Sequence, residues 1–225
     1  VFPQSGLASF STNLDDTRKS AMLSFRSSPY GSTSHAIANQ NSFNTFWNGQ
    51  SLFYSSGHHT SFTDIHGVYC HRATRAHNTI LVNGMGQRIG TEGYGWIHRY
   101  YVSANISYVA GDASKAYGEV ISPLWLLRGE QSNLEFSPEN GWDDTGLKIF
   151  RRHIVTLGKS GYSFIYDELE AEEPVTWSYL LHTVTNPMNV DKTREYVHIR
   201  ATSKDGASDA YLFSSGTLET DTTSR

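Results

Sequence analysis

Short runs in which apolar and polar residues alternate make up most of the chain, broken by clusters of Gly, Asn, Asp and Ser. Period-two alternation sends successive side chains to opposite faces, so the pattern predicts strands that each bury one face. Residues 21–26 read as one such strand. Residues 42–47 and 51–54 flank Asn48-Gly49, a pair that readily takes the positive φ of a tight hairpin turn. Residues 79–82 run into Asn83-Gly84, while 148–157 and 162–166 bracket a turn at 158–161. Strands are also expected at 175–184, 196–202 and 210–214, the last two joined through Lys204-Asp205-Gly206. Residues 84–101 carry five glycines ahead of Trp96 and read as a Gly-rich loop containing Trp96 and His98. No long amphipathic helix is predicted. Regularly spaced short strands with turn residues between them imply an all-β fold, a large antiparallel β-sandwich, as a single domain over 1–225.

Composition narrows the function classes. With 38% hydrophobic and 13% aromatic residues, the 225-residue chain can build a real core. Eighteen basic against 22 acidic residues give a formal charge of -4, which argues against a nucleic-acid partner or an anionic membrane. The single cysteine, Cys70, excludes an internal disulfide framework and a cysteine-rich zinc site. No apolar run approaches the roughly 20 residues of a membrane helix. The chain opens at Val1 without methionine and stops just after a strand-like segment, which reads as part of a longer protein. Ten His, 13 Tyr and 5 Trp on a mildly acidic chain suit polar ring-shaped ligands such as sugars.

Seven of the ten histidines precede residue 100. His35 has the most informative context: small residues surround it, and Asn39, Gln40 and Asn41 follow before the strand at 42–47. An imidazole on such a loop is accessible yet positioned by a sheet, and the amides can orient a substrate or hold the loop itself. His77 and Asn78 form a polar lead-in to the strand at 79–82, with Arg75 nearby as a possible partner for an acidic sugar or as a plain surface charge. His58 and His59 are neighbours, so on a strand they face opposite ways and need help from elsewhere to hold a metal. Asp167 and Glu168 face opposite ways for the same reason, which argues against a paired-carboxylate glycoside hydrolase. Trp142 and Trp177 are expected in the core, while Trp47, Trp96 or Trp125 could stack on sugars in a binding module.

Several segments in order resemble the heparinase II/III-like family, in its C-terminal β-sheet domain. These are Phe2-Pro3-Gln4-Ser5-Gly6, the stretch from His35 to Phe43, and Ala76-His77-Asn78-Thr79 through Gly84. Phe150-Arg151-Arg152-His153, Ile165-Tyr166-Asp167-Glu168-Leu169 and Leu180-Leu181-His182 follow. The resemblance implies a polysaccharide lyase that cleaves uronic-acid-containing polymers by β-elimination, with the cleft between this domain and an N-terminal α/α toroid of the same parent. It implies His35 as the catalytic residue, Asn39, Arg75, His77 and Asn78 near the substrate, and further catalytic groups on the toroid. The domain is then expected to be inactive alone and to be periplasmic or secreted. The alternative is a non-catalytic carbohydrate-binding or structural module. Many family members hold a metal through a second histidine two positions after the first, an aspartate before a glycine, and the histidine of the His-Asn-Thr strand. Here those positions read Ile37, Ser55 or Ser56, and His77, so no metal or other cofactor is expected, unless His58, His59 or His66 rebuild a site.

Overall fold

The computed structural model describes residues 1–56, 64–184 and 187–223. Strands β1 (Leu7–Ser11), β2 (Ala21–Arg26), β3 (Ser42–Trp47) and β4 (Gln50–Ser51) form an antiparallel sheet in chain order. Strand β5 (Ile80–Val82) lies apart from them. A second antiparallel sheet contains β6 (Trp96–Val102), β7 (Ser107–Asp112), β8 (Leu147–Thr156) and β9 (Ser163–Ala171). Strand β10 (Trp177–Tyr179) pairs with β5, and β11 (Asn189–Lys192), β12 (Val197–Thr202) and β13 (Ala207–Leu212) form a meander.

The two larger sheets close on one core. Leu23, Phe25 and Phe43 from the first meet Ile97, Val109 and Ile154 from the second. The predicted all-β antiparallel sandwich is therefore the observed one. Asn48 and Gly49, at φ 54° and 71°, make the predicted hairpin turn between β3 and β4. Trp142 is buried as expected, and Trp177 packs on the edge of a smaller core around Phe150 and Val82.

Four sequence expectations fail locally. Trp125, a candidate for sugar stacking, is buried in the core, and the strand expected over 175–184 is confined to β10. The Gly-rich loop ends at Gly95, because Trp96–Val102 is strand β6. A register shift between Ile97 and Arg99, together with exposure of residues 98–102, erases the alternation that would have marked it. Helix α1 (Pro123–Ser132) also went unseen. Proline suits its first turn and left-handed Asn133 ends it, but Leu124, Leu126 and Leu127 are exposed while Trp125 is buried, so no helical period shows.

One glycine is required by close approach between the sheets. A Cβ on Gly111 of β7 would collide with Asn41 Oδ1, the Phe25 ring and Ser27. Gly111→Ala is expected to cost about 1–3 kcal/mol by overpacking, read as a lowered urea midpoint. An unchanged midpoint would show that the sheets can separate locally.

Candidate active site

His35 is exposed on the loop that leads from β2 to β3. The loop is short of regular backbone pairing, so side chains from elsewhere fix it. The Arg72 guanidinium donates through Nη2 to the carbonyls of Ser34 and Ala36, the latter at 2.7 Å, thus clamping both neighbours of His35. Arg72 is itself fully buried, with its guanidinium carbon 4.6 Å from the centre of the Trp125 ring on α1. Arg26 at the end of β2 holds the other side, donating to Gly31 O at 2.8 Å and to Asn39 Oδ1 at 2.6 Å. Burial lowers the pKa of each of these arginines to about 10, which leaves both cationic at neutral pH.

Next to this loop lies an open groove of about 380 Å³ on the outer face of the first sheet. Ser9, Ser24 and Asn44 sit in register across β1, β2 and β3 and line it, with Arg26 and Asn39 at its wall. Phe2, Leu7, Ala8 and Phe25 add apolar surface to the groove, Arg26 and Asn44 Oδ1 are engaged by Gly31, Asn39 and Ser55, and the Ser9 and Ser24 hydroxyls are the groups of this register row that can meet a sugar hydroxyl.

The other expected site residues fall elsewhere. Asn78 is fully buried, donating to Phe43 O at 3.0 Å and accepting from His182 N at 2.7 Å. His77 is buried too, and its Nε2 donates to the His71 carbonyl at 3.0 Å. Arg75 donates to Asn140 O and stacks over Tyr69, 4.2 Å from the ring centre. In this domain the Arg75 guanidinium, His77 Nε2 and the Asn78 amide are each bonded to the scaffold. Asn39 borders the groove, but its amide oxygen is taken by Arg26. Gln40 and Asn41 hold the fold rather than a ligand. Gln40 Oε1 accepts from Ser28 N at 2.7 Å, and Asn41 Nδ2 donates to Gly111 O at 3.1 Å.

Desolvation lowers the His77 pKa from 6.5 to about 3. The unfolded chain therefore takes up a proton that the folded chain refuses. Stability present above the unfolded value is lost as pH falls from 6.5 toward about 3, at a slope approaching about 1.4 kcal/mol per pH unit. Urea midpoints measured at neutral pH and near pH 5 should fall more steeply for the wild type than for His77→Gln. Equal slopes would remove His77 as the cause.

The model of the family described as "Heparinase II/III-like, C-terminal" matches residues 1–224. The chain belongs to that family. Solved structures agree on the fold of this heparinase II/III-like domain. Heparan sulfate lyase HepC from Pedobacter heparinus is similar at a TM-score of 0.63 and 17% identity, covering 92% of this chain and 27% of that one. The heparinase III BT4657 gene product gives 0.61 and 16%, with the same 92% and 27%. A further heparinase III structure gives 0.57 and 16%, covering 89% and 28%. The chain thus spans about a quarter of the length of these structures. No curated protein matches it.

The positions that match the family's metal ligands offer few donors. Ile37 offers no lone pair, Ser55 Oγ lies 3.2 Å from Asn44 Oδ1, and His77 commits Nε2 to the His71 carbonyl. His77 Nδ1 is buried with no partner among the described residues, yet one nitrogen does not make a cation site. The residues do not fit the family's metal. His58 and His59 lie outside the described residues. Sequence reasoning does not reach Arg26 and Arg72: Arg26 only closes the strand before the His35 loop, and Arg72 lies 36 residues beyond Ala36, so no local pattern links it to that loop.

Proposed function

We propose that this chain is the β-sandwich part of a polysaccharide lyase that cleaves uronic-acid-containing polysaccharide by β-elimination, with His35 as the proton-transferring residue. The observation that carries the reading is the whole-length family match joined to an exposed histidine whose two neighbouring carbonyls are clamped by a buried arginine. The structural neighbours described as heparan sulfate lyase and heparinase III support it.

In β-elimination a base removes the proton at C5 of the uronate, the C4–O bond breaks, a C4=C5 double bond forms, and the departing oxygen takes up a proton. Imidazole suits the proton transfers, because histidine as a residue type exchanges protons near neutral pH. Charge develops on the carboxylate as C5 is deprotonated, and Arg26, held by Gly31 and Asn39, places its positive charge at the groove wall. Further groups come, in this reading, from an N-terminal α/α toroid of the same parent, so the single 1–225 domain is inactive alone. Its place is periplasmic or secreted, where such polymers occur. The reading is tested by incubating the parent protein with acidic polysaccharides and following the absorbance of unsaturated uronate. Chain cleavage without that chromophore, or no cleavage of any uronan, overturns it.

A non-catalytic binding or structural module is the second reading. It is favoured by the exposed aromatic residues Tyr101, Phe164 and Tyr166 on the second sheet. Retention of acidic oligosaccharides by the parent without bond cleavage would select it.

A further inference from the structure

His66, Cys70 and His71 converge on one point away from the groove. Each offers one ligand atom, and the three atoms lie within 4.8 Å of one another. The local backbone explains how. Gly67–His71 winds as a π-helix, with Arg72 N bonded back to Gly67 O at 2.9 Å. In π winding the chain completes a turn between the fourth and fifth residues on, so both Cys70 and His71 return to the side of His66. In an α-helix His71 would have swung away from that side.

We propose that these three side chains bind a zinc-class divalent cation, with a water in the fourth position. Thiolate with imidazole is the donor set that borderline-soft cations select. Metal–sulfur bonds of about 2.3 Å and metal–nitrogen bonds of about 2.0–2.1 Å require ligand atoms somewhat closer than the present spacing, a gap that side-chain rotation closes. The His66 and His71 rings already meet edge to face, with centres 4.6 Å apart. Two features point to a ligand beyond proximity. His71 Nδ1 is buried without a hydrogen-bond partner among the described residues, and an ion bound at that nitrogen would supply the partner it lacks. Cys70 is a buried free thiol, while His66 beside it is exposed and gives an ion a way in. The position matters because Arg72, the clamp on the His35 loop, is the next residue. An ion here fixes the turn from which that clamp projects.

This site is distinct from the family's metal position, since it uses neither Ile37, Ser55 nor the His77 nitrogens. The test uses reduced, chelator-stripped protein titrated with cobalt(II), then with zinc in competition. One cobalt per chain is expected, with a near-ultraviolet thiolate-to-cobalt band that zinc abolishes and that Cys70→Ser lacks. His66→Gln alters an exposed side chain and should weaken binding at least roughly tenfold. Metal-free melting curves of the variants that overlay the wild type show that folding is intact. Absence of the thiolate band in the wild type overturns the site. So does undiminished affinity in both Cys70→Ser and His66→Gln.

Discussion

Arg152→Ala is expected to destabilise the fold by about 3–5 kcal/mol, the cost of removing one member of a buried ion pair. Arg152 lies on β8 with no exposed surface. Its Nε and Nη2 donate to the two carboxylate oxygens of Asp167 on β9 at 2.7 and 2.6 Å. Its Nη1 donates to Asn41 O at 2.7 Å and to Asn78 O at 3.1 Å. Burial alone would lower the guanidinium pKa, but the Asp167 carboxylate overrides it and the net direction is upward. Alanine leaves the Asp167 charge uncompensated and two buried carbonyls short of donors. Lysine should rescue little, because an ammonium cannot span a carboxylate and two carbonyls in the plane of the guanidinium. Urea unfolding measures the loss. A deficit below about 1 kcal/mol would mean that water reaches Asp167 and the pair contributes little. The paired replacement Arg152→Met with Asp167→Leu should cost less than Arg152→Ala alone, since neither charge is then stranded.

This network explains which parts of the site were legible in the sequence. Strands such as β2, β3 and β8 bury one face and expose the other, so alternation reveals them. Alternation sends Asp167 and Glu168 to opposite faces, and their partners agree: Asp167 meets buried Arg152, whereas Glu168 lies 3.4 Å from the half-exposed Arg151. What alternation cannot show is whether a polar residue points at water or at another strand. Asn41 and Asn78 look like ligand-binding amides in sequence. In the fold they are joined by Arg152, which is more than 70 residues away from either. Such pairings depend on the register of β7, β8 and β9, which no local pattern encodes. The π-helical turn is equally invisible to alternation; its Val68 shares a buried cluster with Ala73 and with Trp125 of α1, residues distant in sequence.

His35→Ala in the parent protein is expected to lower kcat about 10²–10⁴-fold on a uronate polymer, with KM little changed. The split follows from the geometry proposed. The groove beside the loop supplies hydroxyl contacts that bind ground state and transition state alike, and none of them is removed with the imidazole. Proton transfer occurs only on the way to the transition state, so its loss appears in kcat. The pH profile of kcat should lose one of its limbs in the variant, which a merely structural histidine would not cause. Arg72 provides the companion measurement as a positioning residue. It reaches both Ser34 O and Ala36 O from one nitrogen, so Arg72→Lys can keep the two bonds while Arg72→Met removes them. The expected order of kcat is wild type, then Arg72→Lys, then Arg72→Met, at nearly constant KM. Turnover by His35→Ala within threefold of wild type would remove His35 from the chemistry. In that case the clamp on its loop has to be explained by folding alone.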